Sequence, residues 1–343
     1  MPSNRLPTYD AIIVGGGPAG LSAASALGRV RRTTLLIDSG VYRNAQTQQM
    51  HDVIGNDGTV PSVFRALARS QISTYTSVFM INGTVASITP SETSSNNSYF
   101  ATTDTNGRQY LSRKIILATG MRDLLPNTPG LARGFGRGIY WCPWCDGWEH
   151  RDKPFANLGR FTPSLIQSTI SITALNAQPL MLTNTTFTAE AAKEVTAQMP
   201  YWEQRLAVHG IDIENREIVS FERVSGNESD FESDFLVSGL AEELGLVLTA
   251  KEAGGDLHVA VDGIMESSLP GVYVVGDANS DASENVPHAM WSAKRAAVNL
   301  HESFQHTKRD TGIQEEVEAM EKSLEQPLPE SSSAHEWLEY LKQ

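Results

Sequence analysis

Two cysteines are all that this chain of 343 residues contains, and both lie in Trp141-Cys142-Pro143-Trp144-Cys145-Asp146-Gly147. A C-x-x-C pair can close a disulfide across a very short loop. Such a loop removes little chain entropy, so the pair has more to offer as a redox couple than as a staple. Asp146 follows the second sulfur directly, with Glu149 and His150 just beyond. Carboxylates and imidazoles are the groups that move a thiol's proton. Trp141, Trp144 and Trp148 crowd the same segment. They read equally well as an aromatic floor for a small ring-bearing ligand and as packing between domains. No other cysteine exists to build a disulfide framework, and no metal site is expected.

A redox pair needs an electron partner, and the elements that would hold one are legible. Tyr9 to Val14 is an apolar run that ends in Gly15-Gly16-Gly17-Pro18-Ala19-Gly20. Leu21 to Leu27 continues at helical spacing, and Thr33 to Ile37 is a second apolar run ending at Asp38. Strand, glycine turn, helix, strand and acid make a dinucleotide-binding βαβ unit. Gly15 permits the tight turn, Gly17 lets backbone approach a pyrophosphate, and Gly20 lets helix and strand pack closely. Asp38 stands where an acid binds ribose hydroxyls, with Ser39 and Gly40 beside it.

Further along, Pro61 to Ile72 reads as an amphipathic helix. Thr74 to Tyr110 reads as a β-meander with turns at Asn82-Gly83 and Asn106-Gly107. Lys114 to Leu117 is a buried strand entering Ala118-Thr119-Gly120, and Pro154 to Leu182 looks like a second βαβ start. Asn227 to Asp234 is a polar loop, Leu269 to Val275 a strand, and Pro287 to Leu300 a helix. Apolar stripes in the tail (Ile313, Val317, Met320, Leu324, then Trp337, Leu338, Leu341) either pack on the body or make a dimer contact.

Ala118-Thr119-Gly120 and Gly271-Val272-Tyr273-Val274-Val275-Gly276-Asp277-Ala278 resemble signatures of two-dinucleotide-domain flavoproteins. With Cys-x-x-Cys-Asp-Gly between them, the chain resembles the low-molecular-weight thioredoxin reductases, of the class-II pyridine nucleotide-disulfide oxidoreductase family. The resemblance implies an α/β fold with two Rossmann-like three-layer nucleotide-binding domains. FAD binding falls to residues 1–121 and 246–343, the latter carrying a C-terminal helical tail, and an inserted NADPH-like domain with the C-x-x-C to residues 122–245. It also implies FAD as cofactor, with Asp277 on the ribityl chain and the helix start at Pro287-His288-Ala289 aimed at the isoalloxazine.

In that family the redox pair precedes a second glycine turn and a basic cluster for NADPH. Here the turn is Gly159-Arg160-Phe161, and the place of the cluster is taken by Leu182-Thr183-Asn184-Thr185-Thr186-Phe187. Phe161 is expected to fill the pyrophosphate space, and the neutral segment has no charge to pair a phosphate. This departure resembles the fungal thioredoxin-reductase-like dithiol oxidases of gliotoxin- and holomycin-type biosynthesis. So do Tyr42-Arg43-Asn44-Ala45, Met50-His51 and Phe64-Arg65-Ala66-Leu67-Ala68-Arg69.

That resemblance implies oxidation of a small-molecule dithiol, with molecular oxygen as the final acceptor. It places Cys142 outward, Cys145 toward the flavin, and Arg43, Asn44 and His51 near the cofactor. The family's acid/base position falls on Asp146, with His150 and His288 as the alternatives. It also makes a homodimer the expected assembly. Two rival readings are a reductase fed by NADPH or another donor and a flavin-bound redox sensor.

Composition narrows the partners. Net charge is −13 and pI is near 5.1, against a basic face for nucleic acid or anionic membrane. The N-terminus does not read as a signal peptide and no apolar run reaches spanning length, so a cytoplasmic location is expected.

Overall fold

The computed structural model describes residues 8–92, 98–123, 125–176, 178–222, 258–281 and 283–324, the backbone alone for 92, 98 and 307–324. Strand β1 (Thr8–Val14) enters the glycine turn, and helix α1 (Pro18–Arg29) leaves it. Pro18 opens the helix with φ already set and no N–H to orphan. The chain returns along β2 (Thr34–Asp38), parallel to β1, and both strands are buried in near-continuous apolar runs, as strands covered on both faces must be. Helix α2 (Pro61–Ile72) follows, then β3 (Val78–Asn82), β4 (Val85–Glu92), β5 (Ser98–Asp104) and β6 (Gln109–Leu117).

Two short helices, α3 (Leu131–Gly134) and α4 (Pro143–Asp146), lead into a second lobe. That lobe is built from β7 (Ala156–Leu158), α5 (Pro163–Ser171), β8 (Leu180–Leu182), α6 (Ala189–Gln198), α7 (Trp202–Val208) and β9 (Asp212–Glu214). The chain then re-enters the first lobe with β10 (Val272–Val274) and a long helix, α8 (Val286–Leu324).

The large sheet runs β3-β2-β1-β6-β5-β4, with β10 also on β6. One edge of β6 takes β1. Its other edge is shared, with β5 on residues 109–112 and β10 on residues 115–117. Helices α1 and α8 pack through small residues, Ala23 and Ala24 against Ala293, Ala296 and Ala297, which lets their backbones come close. Ser22 Oγ donates to Met290 O at 2.8 Å across the same contact. The smaller sheet, β7-β8-β9, is wholly parallel and encloses its own core of Phe161, Ile166, Met181, Trp202 and Leu206.

Three expectations change. The run at 78–82 is no part of a meander: β3 pairs parallel with β2, and only β4, β5 and β6 are antiparallel neighbours. An apolar run with a turn after it looks alike in both arrangements; burial of Val78 beside α1 decides for the parallel one. Asn106-Gly107 is a true hairpin turn, Gly107 at φ +78°, whereas Asn82-Gly83 only redirects the chain into β4. Helix α8 also continues well past Leu300, where the sequence places its end. The polar loop at 227–234, the boundary at 245/246 and the tail beyond 324 lie outside the described residues. Among the described residues, no helix is long and apolar enough to cross a membrane.

Candidate active site

The glycine turn has the geometry that a pyrophosphate cradle needs. Gly15 has φ +108°, and a Cβ there would sit 2.3 Å from Ala118 O, so strand end and Ala118-Thr119-Gly120 are in backbone contact. A Cβ on Gly20 would meet Gly15 O at 1.9 Å, which enforces the close helix approach. At Gly17 a Cβ would meet nothing within 4 Å, so the space beside this backbone is open. Gly276, at φ +69°, faces Ala19 and Ala289, and its N–H donates to Ser292 Oγ at 3.0 Å. The first turn, the Gly276-Asp277 loop and the start of α8 therefore converge.

Asp38 ends β2 in a buried position. Its Oδ1 accepts from Gly16 N–H at 3.2 Å and Gly40 N–H at 3.0 Å, and its Oδ2 from Tyr42 Oη at 2.6 Å and from Arg69. Burial pushes its pKa up, but the hydrogen bonds from Tyr42, Gly40 and Arg69 outweigh that and hold it below the usual carboxylate range. A cavity of about 500 Å³ opens here, lined by Asp38, Ser39, Gly40, Tyr42, Arg69 and Asn82.

Arg43 ties the other end of the cleft together. Its Nε and Nη2 grip Asp123 at 2.9 and 2.7 Å in a fork. Its Nη1 reaches Asp277 at 3.0 Å and Glu284 at 2.7 Å. Burial raises the pKa of Asp277, and Arg43 pulls it back. Asn44 Oδ1 accepts from Arg65 at 3.2 Å, and Arg65 in turn lies 3.7 Å over the Tyr42 ring. His288 is buried at the start of α8, where Asn285 caps its N–H at 2.8 Å. Its Nε2 is 3.0 Å from Asp281 Oδ1 but out of line for a hydrogen bond.

Cys142 and Cys145 form a disulfide with Cα atoms 5.2 Å apart. Cys142 is the N-cap of α4, and its Sγ accepts from Cys145 N–H at 3.1 Å. Asp146, in the same turn, is buried, and its pKa is pushed up to about 6 by that burial, with His51 lowering it and Glu149 raising it. His51 Nδ1 lies 3.6 Å from Glu149 Oε1, so the Met50–Thr59 loop of the first lobe meets the redox segment directly. His150 is engaged elsewhere: its Nε2 is 2.8 Å from Tyr140 Oη and the two rings stack at 4.7 Å. The tryptophans separate. Trp141 stacks on Phe135 at 4.9 Å, while Trp144 and Trp148 are 71% and 64% exposed, so packing does not account for the last two.

The second turn corrects one expectation. Phe161 does not fill the pyrophosphate space. Its ring is buried in the small lobe's core, 4.6 Å from Phe187 and 5.1 Å from Trp202. The turn is closed by hydroxyls instead. Phe161 N–H donates to Thr186 Oγ1 at 2.9 Å, and Thr162 Oγ1 caps α5 by accepting from Leu165 N–H at 3.2 Å. The segment in the place of the basic cluster is a neutral network: Asn215 Oδ1 accepts from Thr183 Oγ1 at 2.7 Å and Phe187 N–H at 3.0 Å. Arg160, in the turn itself, is exposed. A cavity in this lobe, about 390 Å³ and lined by Leu180, Ile211 and Asp212 among others, is at the strand starts. Nucleotides bind at the opposite, carboxyl ends of such sheets.

The residues that sequence reasoning missed are the partners: Arg69 and Tyr42 on Asp38, Asp123 and Glu284 on Arg43, Asp57 on His51. Tyr42 and Arg69 lay within motifs already singled out; Asp57, Asp123 and Glu284 did not.

A family model described as pyridine nucleotide-disulphide oxidoreductase matches residues 9–293. A probable thioredoxin reductase of Arthroderma benhamiae is 40% identical over 336 residues, covering 89% of this chain and 82% of that protein. Thioredoxin reductase tcpT of Claviceps purpurea is 33% identical over 302 residues, covering 82% and 90%. Among solved structures, an oxidoreductase from Agrobacterium tumefaciens superposes with a TM-score of 0.74 at 25% identity, over 88% of this chain and 99% of that one.

Proposed function

Because this chain belongs to the pyridine nucleotide-disulphide oxidoreductases, whose flavin is FAD, we propose that it oxidises a small-molecule dithiol to a disulfide and passes the electrons through Cys142 and Cys145 to FAD and then to oxygen. The observation that carries this reading is the closed second turn. Thr186 and Thr162 take backbone N–H groups that a pyrophosphate would need, and no cation stands in the 182–187 segment. A closed nicotinamide entry favours electrons arriving from the sulfur side.

The first site fits FAD: an open approach at Gly17, a charged acid at Asp38, and Asp277 held by Arg43. Gly15, Gly16, Gly17, Pro18, Ala19 and Gly20 would line the pyrophosphate, Asp38, Ser39 and Gly40 the ribose, and Asp277, His288 and Ala289 the flavin end. FAD, when bound, supplies a two-electron acceptor that oxygen can reoxidise.

The protein's part is thiol exchange and proton handling. One substrate thiolate attacks Cys142, breaking the Cys142–Cys145 bond and leaving Cys145 as a thiolate. The second substrate thiolate attacks the substrate sulfur bound to Cys142 and expels Cys142, which closes the product disulfide. Two protons leave the substrate, and the cysteine pair is left holding the two electrons that bound FAD would accept and oxygen, with two protons, would remove as hydrogen peroxide. Asp146, which follows Cys145 in the chain and whose pKa burial pushes up to about 6, serves as the base. His150, bonded to Tyr140, is less well placed. Exposed Trp144, and the face of Trp148 away from Arg151, offer apolar surface to a small ring-bearing dithiol.

Purified protein tests this. Dithiothreitol without NADPH should reduce the flavin under anaerobic conditions and yield peroxide in air, and Cys145→Ser should abolish both. Rapid bleaching by NADPH, with none by the dithiol, would return the chain to the reductases whose name its relatives carry. Exposed Arg160 is the one observation that favours that second reading.

A further inference from the structure

The turns that carry the disulfide form one continuous helical stretch. Gly147 keeps helical angles after α4, at φ −70° and ψ −33°. Its N–H donates to Pro143 O at 2.9 Å, and its carbonyl accepts from His150 N–H at 3.2 Å. Trp144, Trp148 and Arg151 are spaced i, i+4 and i+7 along this stretch, so they share a face. All three are exposed. Trp144 lies between the two half-buried cysteines in the chain, and Trp148 is one turn beyond Cys145. The strip therefore begins at the disulfide and leads away from it.

Arg151 ends the strip and is held in place. Its guanidinium carbon lies 3.9 Å from the centre of the Trp148 ring, and its Nη1 donates to Trp148 O at 2.7 Å. These contacts use one face and one corner of the group. They leave the Nε/Nη2 edge, the same edge with which Arg43 grips the Asp123 carboxylate. Among the described residues, that edge of Arg151 makes no hydrogen bond or ion pair. The acids of the same stretch are placed elsewhere: Asp146 is buried, and Glu149 Oε1 is 3.6 Å from His51 Nδ1. A guanidinium already stacked on an indole loses little further freedom when it pairs with a ligand.

We propose that this strip selects dithiols that carry a carboxylate. Trp144 and Trp148 take the apolar body of the molecule, and the open edge of Arg151 takes the carboxylate as a fork. Arg151 follows Cys145 by six positions of helical rise, so the arm between the sulfurs and the carboxylate spans at most about 10 Å. The proposal deepens the dithiol-oxidation reading and rests on it. Arg151 meets the substrate away from the reacting sulfurs, so its effect falls on substrate affinity and not on the limiting rate.

The test compares dihydrolipoate with dihydrolipoamide, which share one reacting end and differ by a carboxylate against a neutral amide. Anaerobic flavin reduction of the purified FAD protein is followed with each at low salt. Wild type should reach half-maximal rate at an about 5- to 10-fold lower concentration of dihydrolipoate, with similar limiting rates. High salt should remove most of that preference in the wild-type protein itself. Arg151→Met should bring the two probes within about twofold of each other, and Arg151→Lys, which keeps the charge without the fork, should fall between. Equal half-saturation in wild type, or a preference that survives in Arg151→Met, would overturn the proposal. A preference expressed in the limiting rate alone would overturn it too. Binding of the oxidised forms, lipoate and lipoamide, is followed by quenching of tryptophan fluorescence and needs no electron transfer. A lipoate preference that depends on Arg151 would uphold the strip even if neither dithiol reduced the flavin, and only the dithiol-oxidation reading would then fall. Equal binding of the two would overturn the strip even if both dithiols reduced the flavin.

Discussion

Arg43 Nη1 holds Asp277 Oδ2 at 3.0 Å, and through the same nitrogen it reaches Glu284 Oε2 at 2.7 Å. With Asp123 on its other edge, one guanidinium serves three carboxylates contributed by distant parts of the chain. Burial alone would lower the proton affinity of Arg43, yet its hydrogen bonds to Asp123 and Glu284 raise it above the ordinary value. Arg43→Ala leaves those acids facing one another in a partly buried site. It should cost about 3 kcal/mol in urea unfolding and release FAD. Arg43→Lys keeps the charge but loses the fork and should fall between. Asp277→Asn placed in the Arg43→Ala background should recover part of the stability, although not the flavin. A loss below about 1 kcal/mol in Arg43→Ala would show that the cluster is a surface ion pair of little consequence.

Asp146 gives a pH dependence with a definite sign. Burial moves its carboxyl from 3.8 up to about 6, with His51 opposing the rise and Glu149 adding to it. As a base it works only when ionised, so dithiol-driven flavin reduction should rise through about pH 6 and level off above it. Stability runs the other way. Because the folded-state pKa is the higher one, the favourable contribution is complete below about pH 4 and is lost as pH rises through about 6. The Asp146→Asn protein should therefore be more stable than wild type at pH 7, by about 1–2 kcal/mol after solvent screening, and equal to it near pH 4. Its flavin reduction should be severely slowed at both. Thermal unfolding at the two pH values, set beside the stopped-flow profile, checks all three outcomes.

The small lobe offers a test of how its turn is closed. Phe161 is a core residue, so Phe161→Ala should destabilise the lobe by about 3–4 kcal/mol and, on the dithiol-oxidation proposal, bring no response of the flavin to NADPH. Thr186→Val removes the hydroxyl that accepts from Phe161 N–H and should cost about 1 kcal/mol. Should Phe161→Ala instead gain rapid bleaching by NADPH, the ring would be the plug that the sequence suggested.

Much of this was legible from local pattern. Gly15, Gly17, Gly20 and Asp38 are close in sequence, and each answers to a steric or hydrogen-bonding need of one turn. The Pro61–Ile72 helix announces itself by its proline and its apolar spacing. What escaped was direction and partnership. Whether the ring at 161 turns outward or inward depends on Phe187 and Trp202, residues that the turn itself does not reveal. Arg43 could be singled out, but nothing local marks Asp123 or Glu284, and the signature that marks Asp277 does not pair it with Arg43. The partner of β3 was missed for the same reason: hydrogen bonding to β2 or to β4 asks for the same apolar residues.

The shared edge of β6 also sets a timetable for biosynthesis. Ile115 to Leu117 emerge from the ribosome early, but their neighbours Val272 to Val274 follow only after the whole inserted lobe has been made. Translation at ordinary speed leaves that strand edge, and the alanine face of α1, bare for on the order of ten seconds. An unpaired edge beside an apolar helix face is adhesive. Soluble yield should therefore rise with chaperone supply and depend on synthesis temperature more steeply than the stability of the finished molecule would suggest.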